Sequence, residues 1–452
     1  IGLSGRGGLP RLLWGWNSSS IRLDNQSISM TGADARVPGE APLSHSAEPQ
    51  RPARRTIAVR GARGGVGASM VAVNLGIFLA QIGRQVLLVD ADPDTPGLHT
   101  WLGSEPPAPT AFSIDGDFCD IPKAAVATGI AGLQLLQDTR FIALAAERGA
   151  DGAQQLWRGI RSVETDVVIV DLPMRLDDFT LHLFCAADYR VCVTMPMPDA
   201  VEGTWRFLSS AWACLLEGQL AGNDAARSLL AHANRGFQPL TPRRIVERLM
   251  QLENPAAGIA ADLSRTFHPL LVVNQIRIRE DDELGAAMVS AATRWLGFIP
   301  VLLGSIGWDD NVWLAQRRGR PLLIEFARSR ACKDLEQVVR RLMNLELREL
   351  VAPVPLPPAT KDQNYYELLE IYPGASEEEV RRAIRQIRLW FGPGGISLRG
   401  ACAREEQDDF TKQAETAHAR LLDRFERRRY DREQFPGGFH RDKDAEAARQ
   451  RS

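Results

Sequence analysis

Short apolar runs rich in β-branched residues recur at positions 56–59, 86–89, 133–136, 167–170, 190–194 and 270–273, and stretches of helical periodicity separate them. Strands that stay apolar on both faces belong to a sheet buried on both sides, and their alternation with helices predicts parallel pairing. The expected fold is α/β: a mostly parallel sheet with helices on both faces. Residues 201–268 are longer than one crossover and read as a helical insertion, with Thr241 and Pro242 supplying a cap and a first-turn proline.

The same patterning sets the expected boundaries. Residues 1–54 mix Gly, Ser, Pro and Arg without helix or strand period, and Pro38, Pro42, Pro49 and Pro52 punctuate them, which predicts a disordered extension. No charged stretch followed by an apolar one marks a secretory signal there. The chain begins at Ile1 and its first methionine is Met30, the expected natural start. The α/β domain is expected over 55–345. A Pro-rich linker over 346–362 follows, containing Val351, Ala352, Pro353, Val354, Pro355, Leu356, Pro357 and Pro358. A small all-α module over 363–433 and a disordered tail over 434–452 complete the chain.

Composition narrows the function classes. Hydrophobic residues make up 44% and charged residues 24%, enough for a sizeable core. The formal net charge is −2, so no global basic field supports nucleic-acid binding, and none is expected. No apolar run reaches the roughly 18–20 residues of a membrane span. The six cysteines are widely spaced with no CxxC pair, which predicts reduced thiols, a cytoplasmic setting and no zinc site. Only five of the 54 basic residues are lysines, and none precedes Lys123.

The strongest candidate chemistry is the segment Arg60-Gly61-Ala62-Arg63-Gly64-Gly65-Val66-Gly67-Ala68-Ser69, between a strand and a helix over 70–82. Glycines let backbone N–H groups close around phosphate oxygens, and the helix N-terminus adds partial positive charge. The flanks add Asn74-Leu75-Gly76, Gly83, and 86–89 followed by Asp90-Ala91-Asp92-Pro93. Further along come 167–170 with Asp171-Leu172-Pro173, Ala187-Asp188 through Pro196 and Pro198, Val272-Val273-Asn274, and Gly304-Ser305-Ile306 with Asp309, Val312 and Gly319-Arg320-Pro321. These motifs, in this order over 55–345, resemble the MinD/ParA family of deviant Walker-A P-loop ATPases, within it the FlhG-like branch that regulates flagellar placement and number.

The resemblance implies ATP and Mg²⁺ as ligands and a homodimer that sandwiches nucleotide. It places nucleotide contacts at Gly64, Gly65, Val66, Gly67, Ala68 and Ser69, and adenine recognition at Asn274. It places Mg²⁺ at Ser69, Asp171 and Asp90, the attacking water at Asp92, and the cross-dimer cation at Arg63. Two departures bear on chemistry. The family's phosphate-bridging lysine falls on Ala68, which carries no charge. Met174-Arg175 stand where the family has a small mobile turn. Losing one charge-assisted phosphate contact costs roughly 1.5–3 kcal/mol, about 10- to 150-fold in affinity. The transition state loses more. The expectation is a pseudo-ATPase that binds Mg²⁺-ATP weakly or has lost it.

The module over 363–433 carries Tyr365-Tyr366-Glu367-Leu368-Leu369, then Pro373-Gly374-Ala375-Ser376, a basic helix, and Ala414, Ala417, Leu421 and Leu422 before Arg427-Arg428-Arg429-Tyr430-Asp431. Ser376 with Glu379 forms a capping box. This resembles a J-domain of three helices, but Gly392-Pro393-Gly394 stands where the family has His-Pro-Asp. The resemblance implies a degenerate, DnaJ-like protein-interaction module. Three functional readings stay open: a dimerising switch or scaffold in spatial positioning, a slow ATPase using Asp92 and Arg63, and a degenerate co-chaperone.

Overall fold

A computed structural model describes residues 54–106, 121–220, 223, 241–358 and 362–436. The expected disordered extension over 1–54, apart from Arg54, and the tail beyond 436 lie outside the described residues, as does Cys119.

Eight strands form one sheet: β1 (Arg55–Gly61), β2 (Val86–Asp90), β3 (Val126–Ala127), β4 (Leu133–Leu136), β5 (Val167–Asp171), β6 (Tyr189–Thr194), β7 (Leu270–Ile276) and β8 (Val301–Gly307). Their order is β3-β4-β2-β5-β1-β6-β7-β8, and every pairing is parallel except β3 with β4. The six predicted strands are all present. The chain departs from β1 to one side, then crosses over it to β6. The C-terminal ends of β1, β2 and β5 therefore meet at a switch point, where open α/β sheets place ligands. In this register Asp90 lies opposite Asp171.

Helices cover both faces, as expected. α1 (Ala68–Gln81) leaves the first glycine-rich turn. α2 (Asp178–Ala186) and α3 (Pro198–Gln219) pack together, and α3 begins with proline in its first turn. Within the expected insertion, Thr241 caps the helix Pro242–Gln251, accepting from the Arg244 amide at 3.4 Å, and a second helix spans Ala256–Thr266. α4 (Arg330–Asn344) places Leu335, Val338, Val339 and Leu342 on one buried face, against β8 and α1.

The C-terminal module has four helices rather than three: α5 (Tyr365–Leu368), α6 (Glu377–Phe391), α7 (Arg404–Leu422) and α8 (Arg424–Gln434). Asp423 separates the last two because its side chain accepts from the amides of Phe425 and Glu426, starting a new helix. The expected box forms, with Glu379 N donating to Ser376 Oγ at 3.2 Å and Ser376 N to Glu379 Oε2 at 2.7 Å. Leu368, Leu369, Val380, Ile384, Ile387, Ala417 and Leu421 are all buried, as their spacing predicts.

A Pro-rich linker can leave a module free to move, but here the module is docked. Along the proline stretch, Val354 N donates to Arg265 O, Arg243 to Pro357 O, and His268 Nε2 meets Ala352 O. Beyond it, the helix Leu284–Ala291 continues into a π-helical turn, Ala292–Leu296, that turns Arg294 and Trp295 toward the module. Trp295 meets Phe391 and Phe410 edge-on, with ring centroids 5.0 and 5.5 Å away. Arg294 lies 4.2 Å over the Phe410 ring and donates to Glu370 Oε1, Gln363 Oε1 and Leu368 O. The loop between α6 and α7 sits on α3: Trp205 Nε1 donates to Ser397 O at 2.9 Å, and Ser397 Oγ to Glu202 at 2.7 Å. The module core and one face of the sheet thus form one continuous apolar cluster.

Candidate nucleotide site

The turn between β1 and α1 is held from β7. Gly65 and Gly67 have φ of 81° and 89°, a left-handed region that glycine enters without cost. A Cβ on Gly67 would lie 2.4 Å from Asn274 Nδ2, so glycine also makes room for that side chain. Asn274 Nδ2 donates to Val66 O and Gln275 Nε2 to Gly65 O, each at 2.7 Å. Gln275 itself has φ 61° beside an irregularity in the β7–β8 register. Two loop carbonyls are tied down in this way, an arrangement that lets neighbouring N–H groups converge on an anion.

Three carboxylates flank the turn. Asp171 is buried, its carboxyl accepts a hydrogen bond from the Ser69 side chain, and its Oδ1 has no partner. Burial, with Asp90 adding repulsion, holds Asp171 well above the ordinary carboxylate range. Asp90 Oδ2 accepts from the amides of Gly97 and Leu98 at 2.8 and 3.0 Å, and Oδ1 from Asp92 N at 3.3 Å. Burial still outweighs those bonds and pushes Asp90 up to about 6. Asp92 uses both oxygens on the following turn, accepting from the amides of Asp94 and Thr95 and from the Thr95 hydroxyl.

Arginines frame the other side. Arg63 Nε lies 3.0 Å from Asp199 Oδ2, at the start of α3. Arg60 is buried under Phe207 of α3, its guanidinium 3.8 Å from the ring centroid. It donates to Gly61 O at 2.8 Å and Met174 O at 3.1 Å, joining the glycine-rich turn to the loop after β5. Burial lowers its pKa to about 10. Arg175 pairs with Asp177 at 2.8 Å and Asp94 at 3.5 Å, so the loop after β5 is also tied to the loop after β2. Gly203 of α3 packs so closely that a Cβ there would lie 2.5 Å from Ala62 O.

Ser69, Asp90, Asp92, Asp171, Arg63 and the turn itself thus gather at the C-terminal ends of β1, β2 and β5, with Asn274 entering from β7. Two implied roles read differently in this geometry. Asn274 is buried with its amide on Val66 O and its Oδ1 accepting from Gln275 N, so its polar atoms serve the turn. Arg63 is paired with Asp199 within its own chain, in a solvent-exposed ion pair. Ala68 is buried at the first position of α1 and brings only a methyl group. The orphaned Asp171 Oδ1 beside the Ser69 hydroxyl fits a hard cation, which takes oxygen ligands.

Residues 52–207 match the ParA family model, described as NUBPL iron-transfer P-loop NTPase. That match takes in β1 through the first part of α3, and with it the glycine-rich turn, Asp90, Asp92 and Asp171. The chain is 24% identical over 313 residues to the putative septum site-determining protein MinD of Nephroselmis olivacea, covering 66% of this chain and 90% of that one. It is 28% identical over 157 residues to the antiactivator FleN of Pseudomonas aeruginosa, covering 34% of this chain but only 55% of FleN. Among solved structures it aligns with MinD of Pyrococcus horikoshii OT3 complexed with Mg-ADP, at 15% identity and TM-score 0.43, over 67% of this chain and 100% of that one.

A reading by motif quotes Arg60 without giving it a role and passes over Gln275. The signal for Arg60 is a cation inside an otherwise apolar strand. Gln275 carries no such signal, because its contact depends on the bulge at the end of β7.

Proposed function

We propose that this protein is a dimerising switch or scaffold of the MinD/ParA type that binds Mg²⁺-ATP weakly and hydrolyses it little or not at all. The observation carrying this reading is Ala68: a built phosphate turn, scaffolded by Asn274 and Gln275, without the cation that would bridge the phosphates. Backbone amides of 64–69 and the α1 N-terminus would hold the phosphates, and Ser69 with Asp171 would hold Mg²⁺, which supplies charge neutralisation between phosphates when bound. Asp90 has its oxygens on backbone amides and would act mainly by repulsion on Asp171. Phosphoryl transfer depends on positioning and electrostatic stabilisation, so the missing lysine weighs more on turnover than on binding.

Arg63 is the one cation at the mouth of the turn that the family resemblance assigns to a partner's nucleotide. Exchange of its Asp199 contact for a second copy would make dimerisation follow nucleotide. The septum-site and antiactivator relatives support a role in positioning or regulation. The C-terminal module supplies a second protein-interaction surface.

Calorimetric titration with Mg²⁺-ATP, beside a turnover assay, tests the reading. Ala68→Lys is expected to tighten binding by about 10- to 150-fold. Wild-type turnover equal to that of relatives that carry the phosphate-bridging lysine overturns it.

A further inference from the structure

On the flank of the sheet, α2 and α3 bring together three side chains that the sequence spreads over 182–214. His182 and Cys185 lie one turn apart on α2, and Cys214 lies on α3. Cys185 donates to Ala211 O at 3.3 Å, one turn before Cys214. Cys214 Sγ is 3.9 Å from His182 Nδ1 and 4.0 Å from Nε2, and the two thiols share a hydrogen bond. His182 Nδ1 is 2.7 Å from Asp178 O. A carbonyl only accepts, so Nδ1 carries the proton and, in the neutral ring, Nε2 is the basic nitrogen, 4.0 Å from the thiol sulfur. Cys185 is buried and Cys214 half-buried. This is an attacking thiol near the surface, a base beside it and a second thiol behind it.

We propose that Cys214 and Cys185 are an oxidisable dithiol, a site at which a hydroperoxide closes an intramolecular disulfide between α2 and α3. His182 Nε2 takes the Cys214 proton, and the thiolate attacks one oxygen of hydrogen peroxide. The O–O bond breaks, and hydroxide leaves with the proton from His182 as water, giving a sulfenic acid on Cys214. The Cys185 sulfur attacks that sulfur. The S–O bond breaks, and the hydroxyl leaves with the Cys185 proton as the second water. The two sulfurs are oxidised by two electrons in all, and one peroxide is reduced.

The electrostatics agree with this division of labour. The Cys185 hydrogen bond, with His182 nearby, holds the Cys214 thiol below its ordinary range despite burial, Glu217 and Asp178. The Cys185 thiol is pushed up by that same bond and by burial. Cys402, also half-buried, is pushed up to about 12 by burial and is the natural control. A closed disulfide would staple α2 to the helix that carries Asp199, Gly203 and Phe207 under the phosphate turn.

The test treats the full chain with hydrogen peroxide and reads intact mass and non-reduced peptides. The expected result is loss of two hydrogens and a Cys185–Cys214 cross-linked peptide, reversed by dithiothreitol. Cys214→Ser should remove the product. Cys185→Ser should stop at a sulfenic acid on Cys214 that dimedone captures, with circular dichroism confirming that the variant is folded. His182→Asn should slow Cys214 oxidation by roughly tenfold, through loss of the thiolate-forming base. Oxidation of Cys214 no faster than that of Cys402 overturns the proposal, as does oxidation without the cross-link. No readout involves nucleotide, so the result stands apart from the proposed function.

Discussion

Two buried arginines show how differently the two ends of this molecule use charge. Arg60 under the phosphate turn and Arg294 under the helical module each lie over a phenylalanine ring and donate to backbone carbonyls. Arg294 also pairs with Glu370 at 2.8 Å, and its surroundings are packed aromatic rings. Among the described residues Arg60 bonds no carboxylate; its acceptors are carbonyls, and an unpartnered carboxylate oxygen on Asp171 stands in the same site. The module interface pairs its buried cation with a carboxylate, although Arg294 Nε has no acceptor among the described residues. The phosphate-turn region keeps polar capacity that a bound ligand would complete.

The largest expected effect breaks the Arg294 contact. Arg294→Ala removes the Glu370 pair and the cation–π contact with Phe410. Because Glu370 is more than one-third exposed and can be rehydrated, the loss falls somewhat below that of a fully buried pair, at about 2–4 kcal/mol. Urea unfolding of the full chain checks it, and a change under about 1 kcal/mol would show that the module is held by apolar packing alone.

The second effect tests the unfinished site through pH. The folded pKa of Asp90, about 6, lies above its unfolded value of about 3.9, so the folded state binds the proton more tightly. Its contribution to stability therefore falls as pH rises from about 4 to about 6 and stays low above that. Asp90→Asn is expected to stabilise the ligand-free protein at pH 7.5 by on the order of 2–3 kcal/mol. The gain should vanish below about pH 4. Thermal melts across pH 4–8 decide it; an equal shift at both ends would trace the effect to packing instead.

The smallest effect concerns Arg63. Its ion pair with Asp199 is solvent-exposed, so Arg63→Ala should change stability by less than about 1 kcal/mol. Sedimentation should show Mg²⁺-ATP shifting the wild type toward dimer and leaving the variant unmoved. The same oligomer in both proteins, with and without nucleotide, would favour a nucleotide-independent scaffold.

Much of the fold was legible because buried parallel strands are continuous apolar runs, and β1, β2, β5, β6 and β7 carry them. β3 is two exposed residues, too short to show a period. The site was legible where motif order places residues on neighbouring strand ends, as with Asp90 and Asp171. It was not legible where one contact decides a side chain's use: Asn274 was expected at adenine recognition, and nothing in the motif signals its bond to Val66 O. Docking of the module was hidden because Arg294 and Trp295 sit in an ordinary helical pattern, and only the π-helical turn aims them. Cys185 and Cys214 have no motif spacing and meet only because α2 packs on α3.

The contact between Trp205 and Ser397 also spans time. These residues are 192 positions apart. At roughly 5–20 residues per second of synthesis, the seat on α3 emerges about 10–40 seconds before the loop that covers it. Over that interval Trp205 waits without its carbonyl partner, and the contact closes only when the C-terminal helices arrive.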